Sequence, residues 1–281
     1  MPKLRIIGLV ALAMIAFAGN SLLCRLALKH TTIDAASFTT IRLLSGAVML
    51  WLVVRMRGGA GAGNWLSGLA LFAYAAGFSY AYLSLSAGSG ALLLFGAVQA
   101  TMISHGLWKG ERLRWPQLLG LLLAFGGLVG LLLPGLSAPP LQGATLMLGA
   151  GVAWGIYSLR GRGAGDATRV TAGNFLRAAP IAAALSILML GGTALDSAGM
   201  LYAVASGALA SGLGYAIWYT ALPALKATNA ATVQLSVPVI AALGGVMFLG
   251  EAITLRLALA STAILGGIAL VILEKRAARA P

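Results

Sequence analysis

Apolar residues run along this chain in stretches of about twenty, broken by short polar or glycine-rich turns. A helix that crosses the hydrocarbon core of a bilayer needs roughly 20 apolar residues at a rise of about 1.5 Å each. That rule predicts ten spans. Ile6–Leu28, Ala35–Val54, Trp65–Leu85, Ala87–Trp108 and Leu118–Leu133 form the first half. Gly143–Leu159, Val170–Leu190, Leu201–Tyr219, Ala227–Leu249 and Leu257–Leu273 form the second. Between the halves stands "LPGLSAPPLQG" (Leu133–Gly143), whose prolines cannot continue a helix. It divides the chain into a first unit, 1–136, and a second, 137–281. The fold class expected is an all-α polytopic membrane protein. The first span also has the marks of a secretory leader, with Lys3, Arg5 and an A-x-A-like "AFA" at Ala16–Ala18. Its apolar run continues past that point, however, and "AFAGNSL" is echoed by "AWGIYSL" (Ala153–Leu159), so it reads as a helix of the mature protein.

Composition agrees with the pattern. The 281 residues are 60% hydrophobic and 9% charged, whereas a soluble domain carries about 25% charged residues. The excess of 19 Lys+Arg over 6 Asp+Glu would suggest nucleic acid in a soluble protein. In a membrane protein the same excess sets orientation. Fourteen cations, among them Lys3, Arg5, Arg55, Arg57, Lys109, Arg160, Arg169 and Lys275, fall at the N-terminus, every second loop and the C-terminus. Three (Arg25, Lys29 and Arg256) fall on the opposite side. The positive-inside rule then puts both termini in the cytoplasm. The partners expected are the lipid bilayer and a small-molecule solute, with no nucleic acid. Cys24, the one cysteine, reads as a small core residue.

The halves repeat one another. "LWKGERL" and "MFLGEAI" both end an apolar run with Gly-Glu, and Glu111 and Glu251 lie 140 residues apart. Gly126-Gly127 matches Gly266-Gly267 at the same offset, while Phe17/Trp154, Phe78/Tyr215 and Tyr82/Tyr219 pair at 137 and Arg42/Arg177 at 135. Five spans per copy is an odd number, so the second copy enters the membrane the other way round. Two inverted five-helix repeats with a site between them near the midplane is a transporter architecture.

These features resemble the EamA-type transporters of the drug/metabolite superfamily. The resemblance covers nearly the whole chain and rests on "GER" and "GEA" closing the fourth and ninth spans and on the paired glycines of the fifth and tenth. The connections "YAYLSLSAGSGALL" and "WYTALPALKATNAATVQLSVPVI" carry it as well. Within the family the chain is most similar to the YddG-like amino-acid exporters, which implies export, with aromatic and neutral amino acids as leading substrates. Cationic drugs or other metabolites, such as sugars and nucleosides, with proton coupling, are the alternative. The sequence departs from the family in one place: the ninth span has its proline, Pro238, but the fourth reads "GAVQA" without one.

The candidate chemistry is aromatic and neutral. Tyr74, Phe78 and Tyr82 recur every four residues and share one helix face, as Tyr215, Trp218 and Tyr219 do in the eighth span. Phe17 and Asn20 lie one turn apart, as do Trp154 and Tyr157, and Gln99 and Gln234 sit inside the fourth and ninth spans. Aromatic side chains also fill gaps between helices, but amide and hydroxyl groups in hydrocarbon need partners. Together the twelve predict a cavity with aromatic walls, suited to a small amphipathic solute. Arg42 and Arg177 lie about 10 Å inside their spans and are candidates for gating or for meeting a substrate carboxylate. No metal-ligand cluster, nucleophile triad, cofactor motif or mid-membrane carboxylate can be assembled, which argues against an enzyme and for a facilitator without proton coupling. The glycine pattern "GGLVG" (Gly126–Gly130) permits close helix approach, either to its own repeat partner in a monomer or across a dimer.

Overall fold

A computed structural model describes residues 2–110, 112–135, 138–161, 165–225 and 227–277, without the side chains of 227–229, 232 and 274–277, and the described residues form ten helices. Glu111, Arg162, Lys226 and Arg279 therefore lie outside the described residues. The first repeat contains α1 (Lys3–His30), α2 (Ala35–Met56), α3 (Trp65–Ala81), α4 (Ala87–Trp108) and α5 (Trp115–Leu132). The second contains α6 (Leu141–Gly161), α7 (Ala167–Leu188), α8 (Ser197–Ala224), α9 in two pieces (Ala227–Gln234 and Ser236–Leu249) and α10 (Leu255–Ala277). No strand occurs among the described residues. Among the described residues, seven helices, α1, α2, α4, α5, α7, α8 and α10, are long and apolar enough to cross a membrane. The 17-residue α3 and the 14-residue second piece of α9 are shorter.

Polar punctuation sets the helix ends. Asp34, Asn64, Ser86, Asp166 and Asp196 precede α2, α3, α4, α7 and α8, and each side chain accepts a first-turn amide that the helix itself cannot satisfy. Three of the few carboxylates are thus helix caps. The repeated Gly-Glu has an equally local cause: Gly110 (φ 87°) and Gly250 (φ 61°) adopt left-handed backbone that terminates α4 and α9. Pro238 lacks the amide that would bond the Gln234 carbonyl, and α9 is interrupted at Leu235. Its counterpart α4, which has no proline, runs unbroken. The eighth helix contains a π-helical stretch, Ala205–Leu213, of the kind that gathers at functional sites.

Packing follows the duplication. The contact of α3 with α6 is mirrored by α8 with α1, α4 with α6 by α9 with α1, and α3 with α7 by α8 with α2. The α2–α7 and α5–α10 contacts map onto themselves. α5 and α10 approach most closely at glycine: a Cβ on Gly120 would stand 2.6 Å from the Gly267 carbonyl, and one on Gly267 would strike the Gly120 carbonyl. Within the pattern Gly126–Gly130, Gly127 also meets α10, where a Cβ on it would stand 2.7 Å from that of Ala263, so one glycine of the pattern packs against the partner repeat. Leu122, Leu123, Phe125, Leu259 and Leu270 are exposed on these two helices, as hydrocarbon contact requires.

Gly267→Leu is expected to destabilise the fold by about 1–3 kcal/mol through overpacking, read as a lower thermal midpoint in detergent. Gly266→Leu, whose Cβ meets nothing within 4 Å, should leave the midpoint unchanged.

Candidate functional site

The aromatic faces of α1, α3, α6 and α8 turn inward around a cavity of about 990 Å³. Phe17 and Asn20, Tyr74 and Phe78, Gln99, Trp154 and Tyr157, Tyr215, Trp218 and Tyr219, and Gln234 all line it. Tyr82 does not: it is fully buried one layer beyond, edge-on to Phe78 at 4.8 Å, and its hydroxyl donates to the Ala87 carbonyl at 3.3 Å. Trp154 is the centre of the wall. Its ring stacks on Tyr157 (5.1 Å, 27°) and on Tyr215 (5.3 Å, 22°) and tilts against Tyr74 at 4.8 Å. Phe17 closes the group against Tyr215 and Trp218. The volume is at the upper end of the range for small-molecule pockets, about 300–1,000 Å³.

Residues not singled out in the sequence complete the lining. Thr171 and Asn174 of α7 face Tyr157, whose hydroxyl donates to Thr171 Oγ1 at 3.3 Å and accepts from Asn174 Nδ2 at 3.4 Å. Asn174 is a polar group inside a predicted span, as Asn20 is, and that shared property was the signal available for it. Ser211, on the π-helical stretch of α8, also lines the cavity, and its hydroxyl is buried without a partner. Its placement depends on the π-helix, which the sequence pattern does not reveal.

A chain of hydrogen bonds runs from the second repeat through the first. Ser206 Oγ donates to Asn20 Oδ1 at 2.6 Å, Asn20 Nδ2 donates to the Tyr74 hydroxyl at 3.2 Å, and Arg42 Nη2 donates to that same hydroxyl at 2.9 Å. Arg42 is 1% exposed and lies directly behind the cavity wall, its guanidinium carbon 4.8 Å from the Phe78 ring centre and 5.2 Å from that of Tyr74. Its Nε and Nη1 have no hydrogen-bond partner. A buried donor left without an acceptor costs about 1–3 kcal/mol, which the contacts of the guanidinium with the two rings offset in part. Arg177, its repeat counterpart, stands apart from the cavity. Its Nη1 donates to the Ala62 and Gly173 carbonyls and ties the α2–α3 loop to α7.

The two faces of the bundle differ. The cavity reaches Arg57, Gly161, Asp166 and Pro223, at the α2–α3, α6–α7 and α8–α9 connections. Among the described residues, Asp166 is the one carboxylate in its lining, and it already accepts the Thr168 and Arg169 amides. The opposite face is shut. Glu251 pairs with Arg25 Nε at 3.1 Å and accepts the Ala87 amide at 2.8 Å, so one carboxylate joins the α9–α10 connection to α1 and to the start of α4. The three cations of this face all bond carbonyls at helix C-termini, where the helix dipole favours positive charge. Arg25 bonds those of Tyr82 and Leu83 after α3, Lys29 that of Leu249 in α9, and Arg256 that of Leu133 after α5. Asp34 joins the α1–α2 loop to the α7–α8 connection through Ala194. Burial alone would raise its pKa, but amide hydrogen bonds from Ser37, Ala194 and Ala36 outweigh that and hold the carboxyl below its ordinary value.

Known proteins share both the sequence and the architecture. The "Uncharacterized protein PA1977" of Pseudomonas aeruginosa is 59% identical over 284 residues, which cover 99% of each chain. A solved crystal structure, described only as that of a protein, superposes with a TM-score of 0.69 at 21% identity over 98% of this chain and 99% of its own, a likeness of fold. The EamA-like transporter family matches twice, over residues 4–133 and 141–273, once for each five-helix repeat. With that double match across nearly its whole length, the chain belongs to the EamA-like transporter family.

Proposed function

We propose that this protein exports small organic solutes, with aromatic and neutral amino acids foremost, across a bacterial inner membrane by alternating access. Both termini are then cytoplasmic. The observation that carries the reading is a cavity of about 990 Å³, walled by aromatic rings and neutral polar groups, that reaches one face while the other is shut. The cavity-bearing face is the one with the excess of cations, so the positive-inside rule makes this an arrangement open to the cytoplasm. The stacked rings of Trp154, Tyr157 and Tyr215 offer a slab to a planar or apolar side chain, while Asn20, Gln99 and Gln234 offer hydrogen bonds to its polar end. A cationic drug finds no counter-ion at depth, because Asp166 sits at the mouth and Arg42 lies behind the wall.

Trp154→Ala removes the ring face on which an aromatic solute would stack, a contact worth about 0.5–1.5 kcal/mol. In proteoliposomes it should raise KM for a transported aromatic amino acid by roughly two- to tenfold, with the protein still monodisperse; unchanged kinetics would exclude this ring from binding. Cys24 is fully buried on α1 beside Arg25, and it reports on the shut face. Glu251→Gln weakens the pair with Arg25, so a membrane-impermeant maleimide added from the non-cytoplasmic side should label Cys24 faster than in the wild type. Equal labelling would mean that the pair does not hold that face. Coupling is tested by imposing a pH gradient at clamped membrane potential. Without a mid-membrane carboxylate to share between proton and substrate, a zwitterionic solute should equilibrate and not accumulate. Accumulation abolished by a protonophore would overturn this part of the reading.

A further inference from the structure

We propose that Arg42 is the anion subsite of the cavity, and that the transported solute carries a carboxylate, or an equivalent oxyanion, that pairs with this guanidinium during transport. The inference rests on the transport reading above and adds to it the residue that holds the anionic end of the solute. Arginine stays protonated in proteins, so burial cannot relieve the charge by neutralising it. Ionisable groups inside membrane proteins pair with one another or mark the path of the substrate. The first option is not met here. The ion pair among the described residues joins Arg25 to Glu251, and the groups that face Arg42 are Tyr74 and Phe78 of α3, Cys24 of α1 and Tyr215 of α8. None of these is a carboxylate. A purely structural arginine at this depth would have its donors taken by carbonyls, as Arg25 and Arg177 do. Arg42 instead keeps Nε and Nη1 without acceptors.

Its position relative to the cavity supplies the second half of the argument. The one partner that Arg42 does have, the Tyr74 hydroxyl, belongs to the cavity lining, and so does Phe78, on which the guanidinium rests. Tyr74 therefore stands between the cavity and the charge. A carboxylate that displaced its hydroxyl would take Nη2 together with a free donor, in the bidentate geometry that arginine offers and lysine does not. The unpartnered Ser211 hydroxyl, four residues before Tyr215 on the cavity wall, provides a further hydrogen bond to the same solute. The apolar part of that solute would lie against the Trp154–Tyr215 stack.

The test is isothermal titration calorimetry on the full-length protein in detergent, with phenylalanine, phenylacetate, phenylacetamide and phenethylamine as probes. The acids should bind at least tenfold more tightly than the amide or the amine. Arg42→Met should abolish that preference while leaving the ligand-free thermal midpoint equal to or above that of the wild type, because an unpaired buried charge is removed. Should that variant not fold, Arg42→Lys, which keeps the charge and loses the fork, should bind the acids more weakly. The comparison of acid with amide in the wild type stands without any variant. Equal binding of phenylacetate and phenylacetamide, or no binding of either acid, overturns the proposal. So does a lowered midpoint in Arg42→Met with the acid preference intact, which would mark a packing residue. Counterflow of the same probes in proteoliposomes separates this proposal from the reading beneath it. Acids that bind through Arg42 but do not exchange refute transport and leave the anion subsite standing. Exchange of acid, amide and amine at equal rates supports transport and refutes the subsite.

Discussion

Hydrocarbon offers no hydrogen bonds, so every polar group in the interior of this bundle must be answered by another part of the same chain or by what the bundle carries. The run from Ser206 through Asn20 and Tyr74 to Arg42 is the clearest consequence. It links α8 of the second repeat to α1, α3 and α2 of the first, and two of its members line the cavity. Under the proposed alternating access, a shift of one repeat against the other would have to exchange these partners together. A network of this kind changes between discrete arrangements, because a half-made polar network in low dielectric is worse than either complete one. The same rule explains the cations of the shut face, which end on helix carbonyls that would otherwise be bare.

The repeats are alike in packing and unlike in bonding, and that difference is where transport enters. The pairings of helices are duplicated about the repeat relation, yet one face is closed by Glu251 and the other admits the cavity. Under the proposed alternating access, the inverted copies would exchange these conformations and so move the opening from one side to the other. The copies also differ covalently. Pro238 interrupts α9, whereas α4 is continuous. Gln99 and Gln234 sit on these two helices, so the cavity is lined by one continuous helix and one interrupted helix.

Much of this was legible in the sequence, for reasons that can be named. Ten helices, their duplication and the all-α class follow from the length of the apolar runs and from repeated punctuation, both properties of the chain alone. Gly110 and Gly250 end their helices because the backbone there must turn left-handed, a local requirement that leaves a local signature. The predicted wall residues line the cavity, apart from Tyr82, because spacing along a helix decides which face a side chain shares with its neighbours. Tyr82 satisfied the same periodicity and packs on Phe78, but its ring is buried against the start of α4, where its hydroxyl donates to the Ala87 carbonyl, and so it stands outside the cavity.

The tertiary structure decided what depends on distances between helices. Arg42 and Arg177 are equivalent in the repeat, yet Arg177 binds the carbonyls of Ala62 in a loop and Gly173 in α7, while Arg42 is buried behind Tyr74. Nothing in either neighbourhood of sequence distinguishes them, because their partners lie on other helices. Glu251 reads as half of a repeated motif, but its role comes from Arg25 and Ala87, 226 and 164 residues away in the chain. The π-helical stretch that brings Ser206 to Asn20 and Ser211 to the cavity is likewise invisible to a 3.6-residue period. Hydrophobic length and turn chemistry are local and are written along the chain. The pairing of buried polar groups is not local, and it exists only once the helices have packed.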